Sequence, residues 1–144
     1  MKPRIVIPTV APQAYEALMN LEKYNASTSL TSTHKELIKI RASQINGCAF
    51  CINMHTADAR KYGETEKRIY LLNAWREADV YTEEEKAILA LTEEITMISN
   101  HVSEEVYQNA ASLFDEKYLA DIIMVIITIN SWNRLAIATG LRAV

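Results

Sequence analysis

Breakers and staples are scarce in this chain of 144 residues: three glycines, three prolines and two cysteines. So little Gly and Pro, beside abundant Ala, Leu, Ile, Glu and Lys, points to a helical protein. Two cysteines only three positions apart exclude a disulfide scaffold, which needs more of them at wider spacing. There is no Lys/Arg-rich run and the formal net charge is −3, which argues against nucleic acid and anionic membranes as partners. The opening MKPRIVIPTVAP lacks the pattern of a signal peptide. The richest apolar run, Leu119–Ile129, is interrupted by Asp121 and is about half the length of a membrane span. The expectation is a cytoplasmic protein with no membrane contact, where a Cys-x-x-Cys pair is more often catalytic or metal-binding than structural.

What is present is an ordinary globular mixture, 49% hydrophobic and 23% charged. The length suits a single domain over residues 1–144. A chain of this size buries about 68–70% of its unfolded surface without staples. Residues 1–10, with Pro3 and Pro8 among β-branched neighbours, read as an extended arm. Pro12 fits the first turn of a helix, carried by Tyr15, Leu18, Met19 and Glu22 to about Lys23. A polar connection, Asn25–Ser29, follows.

Thr31, Ser32 or Thr33 can cap the next helix. Thr33-x-x-Glu36 matches a capping box, a structural role for Glu36. Leu37, Ile38, Arg41 and Ile45 extend that helix to the break at Asn46-Gly47, where a third helix begins with Asn46 as its expected cap. Its apolar stripe is Cys48, Cys51, Ile52, His55, Ala59 and Tyr62; Asn53, Asp58, Arg60 and Lys61 mark the wet side. Gly63 ends it in a left-handed conformation. A short helix is expected over 65–75, with Ile69, Leu72 and Trp75. Thr82-x-x-Glu85 is a capping box before Ala87, Ile88, Leu91, Ile95 and Ile98. Ser103 starts another helix. Residues 115–139 contain neither Gly nor Pro, and length favours helix over strand for the run Ile122–Ile129. That helix is apolar nearly all round, so it needs cover on several sides, part of it from another subunit. The sum is an all-α domain of about six to seven helices.

The chemistry concentrates in Cys48-x-x-Cys51-x-x-x-His55. On a helix these are i, i+3 and i, i+4 neighbours, roughly 5–6 Å apart at Cβ on one face. Two thiols and an imidazole then converge, as dithiol redox chemistry requires. Free Cys titrates near 8.5, and helix N-termini or nearby bases bring it down to roughly 3.5–7.5. Both cysteines fall in the expected first turn, at the positive end of the helix dipole. His55 can take the proton of Cys51. Glu36, on the preceding helix, is the carboxylate that can orient or recharge the imidazole. A disulfide brings its Cβ atoms to about 3.5–4.5 Å, closer than helical neighbours start. Oxidation is therefore expected to pull or unwind the turn at Gly47–Cys48, leaving a strained, reducible bond.

Glu36, Cys48, Cys51 and His55, with Ser43-Gln-Ile-Asn-Gly-Cys between, resemble the core of the alkylhydroperoxidase D and carboxymuconolactone decarboxylase family. Met54-His-Thr-Ala-Asp-Ala-Arg, Ala74-Trp-Arg, Glu83 to Thr96 and Trp132-Asn-Arg extend the likeness over most of the chain. The resemblance implies an all-helical fold assembled as a homotrimer or homohexamer. It implies a peroxidase in which Cys51 attacks the peroxide, Cys48 resolves the sulfenic acid as a disulfide, and Glu36 and His55 relay protons. The implied partners are a small-molecule peroxide and a thiol reductant protein or small dithiol, with no cofactor or metal. Phe50 departs from the pattern, since that branch often has a second histidine between the cysteines.

Rival readings stand beside this one. The cysteines can be small apolar core residues. Zinc can be held by Cys48, Cys51 and His55 with Glu36 or His34 as a fourth ligand. The fold can serve a carboxymuconolactone-type decarboxylase acting on a small lactone acid, or a non-catalytic redox-responsive protein. His34 reads as a solvated first-turn residue and His101 as loop or cap. Trp75 and Trp132 read as core or interface anchors, and Asn133 and Arg134 as a buried subunit contact.

Overall fold

Helix ends are set by short polar side chains at the positions the sequence marks. In a computed structural model describing Arg4–Val144, the hydroxyls of Thr31, Thr65, Thr82 and Ser103 and the carboxylate of Asp115 each accept the backbone N–H three residues on. Each satisfies a donor that a helix start would otherwise leave orphaned. Thr82 and Glu85 form the reciprocal capping box. The elements are α1 (Ile7–Val10), α2 (Pro12–Ser27), α3 (Ser32–Asn46), α4 (Ala49–Lys61), α5 (Glu66–Tyr70), a 3-10 segment (Leu72–Glu77), α6 (Glu83–Thr96), a second 3-10 segment (Ile98–Asn100), α7 (Glu104–Leu113) and α8 (Glu116–Thr139). The architecture is all-α, with no strand among the described residues.

Helix α3 is central, packing on α4, α6 and α8. One of its faces gives Ile38 and Ala42 to a core shared with Ile88 and Leu91 of α6 and Ile122, Val125, Ile126 and Ile129 of α8. Another gives Leu37 and Ile40 to a second cluster with Leu72, Trp75 and Leu89. Each buried Leu or Ile contributes about 1.5–3 kcal/mol relative to exposure. A third, small cluster joins Cys48 and Cys51 to Ala136 of α8.

Helix α8 has the length and hydropathy to cross a membrane. Here it is the core helix, and its buried polar groups dock it in place. Tyr24 Oη donates to Asp121 (2.8 Å), Asn25 Nδ2 to Thr128 Oγ1 (2.8 Å), Asn130 Nδ2 to Thr96 Oγ1 (3.0 Å) and Asn133 Nδ2 to Ser43 Oγ (2.9 Å). These bonds tie it to α2, α6 and α3. Ile127 and Ile137 stay exposed on the single chain.

Several local expectations are corrected. Of the expected extended arm, residues 1–3 lie outside the described residues, Val6 is extended, and Ile7–Val10 forms a turn of helix with Pro8 near its start, a place where proline's fixed φ suits helix. Asn46 is not a cap but the last residue of α3; Cys48 caps α4. The cap of α3 is Thr31, so Glu36 lies inside the helix and forms no capping box with Thr33. The helix expected over 65–75 is split, because Ala74 has non-helical dihedrals inside a 3-10 stretch. Tyr62, expected on the buried stripe, follows the end of α4 and is 64% exposed.

Candidate active site

Gly47 shapes the start of the site. It ends α3 in the left-handed region at φ 69°, where a side chain is disfavoured. Cys48 N–H then bonds back to Ser43 O at 3.0 Å, and the chain turns straight into α4. Cys48 sits outside the helix with extended dihedrals, and its Sγ accepts from Cys51 N–H at 3.3 Å. Cys51 lies in the first turn. The two sulfurs form a disulfide, with Cα atoms 5.3 Å apart, and both residues are buried. The Cys48 sulfur thus meets an N–H group of the helix start, an environment that stabilises a thiolate.

One turn on, His55 points toward α3. Its Nδ1 lies 3.2 Å from Oε2 of Glu36, whose side chain is only 8% exposed. The two atoms are off-line for a hydrogen bond, and neither has another partner. The other Glu36 oxygen is 3.8 Å from Lys39 Nζ, which sits 3.2 Å from Glu22 of α2. Glu22 in turn accepts from Trp132 Nε1 of α8 at 3.0 Å. Alternating charges thus run from Glu22 of α2 through Lys39 and Glu36 of α3 to the imidazole. Of the four residues singled out from the sequence, Glu36 meets His55 across the α3–α4 contact, Cys48 is bonded to Cys51 against Ala136 of α8, and Cys51 and His55 line one cavity.

A cavity of about 550 Å³ opens beside them, within the usual range for small-molecule sites. Phe50 and Met54 of α4, Ile129, Trp132 and Leu135 of α8, and the segment Ile5–Pro8 make its walls chiefly apolar. Cys51 and His55 line it; Cys48 and Glu36 do not. Trp132, read as an anchor, is part of the cavity wall and bonds Glu22.

Asp58 was missed. Its charge placed it on the wet side, yet it lines the cavity, and one oxygen lies within 4.8 Å of ligand atoms of both Glu36 and His55. Its i+3 spacing from His55 and i+7 from Cys51 was the available signal. The other histidines stand elsewhere. His34 Nδ1 contacts Tyr118 Oη at 2.7 Å, with burial holding its pKa below the ordinary value. His101 is exposed in a loop at φ 62°. A zinc site using His34 is therefore not assembled, and the sulfurs are bonded to each other. Asn133 is buried within the chain, donating to Ser43 and accepting from Asn46 Nδ2 at 2.9 Å. Arg134 donates to Asn130 Oδ1 at 2.9 Å on the same helix.

A model of the carboxymuconolactone decarboxylase family matches residues 12–94, a span that includes Glu36, both cysteines and His55. The uncharacterized protein YdfG of Bacillus subtilis is 51% identical over 144 residues, covering 99% of this chain and 98% of its own. A solved protein of unknown function from Agrobacterium tumefaciens, with a suggested role as the antioxidant defence protein AhpD, is 37% identical over 99% of each chain, with a TM-score of 0.95. The debrominase Bmp8, solved with a tribromopyrrole, shares the fold at 21% identity and a TM-score of 0.82, over 90% of this chain and 70% of that one.

Proposed function

The chain belongs to the carboxymuconolactone decarboxylase family, with an AhpD-like fold, and on that premise we propose that it is a thiol-dependent peroxidase acting on organic hydroperoxides. One observation carries the reading: Cys51, not Cys48, lines the apolar cavity, and His55 lines it beside Cys51.

The cycle starts from the dithiol. His55 takes the Cys51 proton, and the thiolate attacks the peroxide. An S–O bond forms, the O–O bond breaks, and the departing alkoxide takes a proton from His55 to leave as alcohol. Glu36 holds the imidazole and shares its charge. The Cys48 thiol then attacks the Cys51 sulfenic acid. The S–S bond forms, the S–O bond breaks, and hydroxide leaves as water with the Cys48 proton. A dithiol reductant, protein-borne or small, takes up the disulfide by exchange, transferring two electrons and restoring both thiols. The apolar walls favour an alkyl or aryl hydroperoxide over hydrogen peroxide. The same reading has the protein act in the cytoplasm, as a homotrimer or homohexamer whose contacts cover Ile127 and Ile137.

The test is steady-state turnover of cumene hydroperoxide with dithiothreitol or dihydrolipoamide. Cys51→Ser is expected to abolish turnover. Prereduced Cys48→Ser, with the reductant removed, is expected to consume one equivalent and leave a trappable sulfenic acid. Full turnover by Cys51→Ser would overturn the assignment.

A further inference from the structure

We infer that Glu36, His55 and Asp58 form a binding site for a divalent transition-metal ion on the wall of the cavity. The ligand set is one imidazole nitrogen and two carboxylates, a combination suited to zinc and its first-row neighbours.

The distances favour it. At metal–ligand bonds near 2.0–2.2 Å, adjacent donors around one ion stand about 3.0–3.5 Å apart. His55 Nδ1 and Glu36 Oε2 are 3.2 Å apart. Both atoms are buried, and neither is satisfied by a hydrogen bond. An ion between them would use both lone pairs, which the off-line contact leaves idle. The third donor, Asp58, is on the same helix face as His55, with a ligand atom within 4.8 Å of the other two. Its ion-pair partner, Lys61, is 76% exposed and 3.5 Å away, a weak competitor in water. On this proposal the Asp58 side chain turns toward that pair when the ion binds.

Charge and access agree. Two carboxylates and a neutral imidazole balance a divalent ion. Lys39 lies near the other Glu36 oxygen, Oε1, at 3.8 Å, and leaves Oε2 to the metal. His55 and Asp58 line the cavity, so water or a small anion can fill the remaining positions. The cysteines take no part, and the site is intact while they are disulfide-bonded. An ion on Nδ1 would also sever His55 from Glu36. Metal binding would therefore silence the proton relay, a consequence that rests on the peroxidase reading, whereas the site itself does not.

Zinc titrated calorimetrically into the oxidised full-length protein, in a non-chelating buffer, tests the site free of thiol ligands. One ion per chain is expected. Asp58→Asn and Glu36→Gln are each expected to weaken binding at least tenfold, with circular dichroism showing the fold retained, while His101→Asn leaves it unchanged. No binding to the wild type, or binding undiminished in Asp58→Asn, would overturn the site. In a single turnover of prereduced, desalted protein with cumene hydroperoxide, zinc is expected to inhibit wild type at least tenfold more strongly than Asp58→Asn, reversibly with EDTA. Binding at this site without inhibition would overturn the regulatory role. Lack of peroxidase turnover with zinc binding intact would instead count against the proposed reaction alone.

Discussion

Glu93→Gln probes the junction that holds α3 in place under the active site. Buried Glu93 of α6 accepts from Arg41 Nε at 2.9 Å, Trp75 Nε1 at 2.8 Å and Arg76 Nη1 at 2.5 Å. It thus joins α3, the first 3-10 segment and α6 through one carboxylate. An amide that keeps Oε1 retains the acceptor that Arg41 and Trp75 share, without its charge, and turns its NH2 group toward Arg76. The Arg41 bond, with both partners mostly buried, falls from about 1.5–3 kcal/mol as a charge-assisted hydrogen bond to about 0.5–1.5 kcal/mol with a neutral acceptor. The Arg76 side chain is 58% exposed, so its share is at most about 1 kcal/mol. The expected loss at pH 7 is about 1–2 kcal/mol, or roughly 3–6 °C in Tm.

The pH dependence checks the cause. Burial alone would raise the Glu93 pKa, but hydrogen bonds from Arg76, Trp75 and Arg41 outweigh it and hold the carboxyl below its ordinary value. A depressed folded value gives stability that is fully present above the unfolded pKa, near 4.3, and lost as pH falls through the folded one. The glutamine variant has no such dependence. Urea denaturation of both proteins should therefore show a gap that is full at pH 6–7 and closes below the folded Glu93 value. An equal gap at pH 7 and pH 2.5 would refute an origin in the carboxylate charge and point to a packing defect.

Three further outcomes are expected. Gly47→Ala should cost about 1–2 kcal/mol in urea denaturation, because φ is 69° and left-handed backbone penalises a Cβ. That Cβ would meet nothing within 4 Å, so a loss well above this range would contradict the structure there. Trp132→Ala removes a cavity wall and the Glu22 bond, and should lower kcat/KM for cumene hydroperoxide about tenfold or more. Hydrogen peroxide should be affected far less; an equal loss would disconnect the cavity from substrate choice. Amide exchange at residues 46–52 should differ between oxidised and reduced protein, since Cys51 N–H donates to Cys48 Sγ in the disulfide form. Identical protection would show that the helix start is indifferent to redox state.

Much of this molecule is written locally. The oxygen caps at Thr82, Ser103 and Asp115, the left-handed stop of α8 at Gly140, and the shared face of Cys51 and His55 follow from neighbours within four residues. A helical turn fixes such spacings whatever surrounds it. Local rules also misled. Asn46 resembles a cap, but the Gly47 turn hands that position to Cys48. Asp58 resembles a wet residue, because a charge in the sequence carries no mark of the cavity it faces. Tertiary packing alone decided that Glu36 of α3 meets His55 of α4, and that Glu22 and Lys39 continue the line of charge. It also decided that α8 supplies the opposite wall. Those contacts join residues 17 to 110 positions apart, and they depend on how side chains of different helices interdigitate, which no helical period specifies.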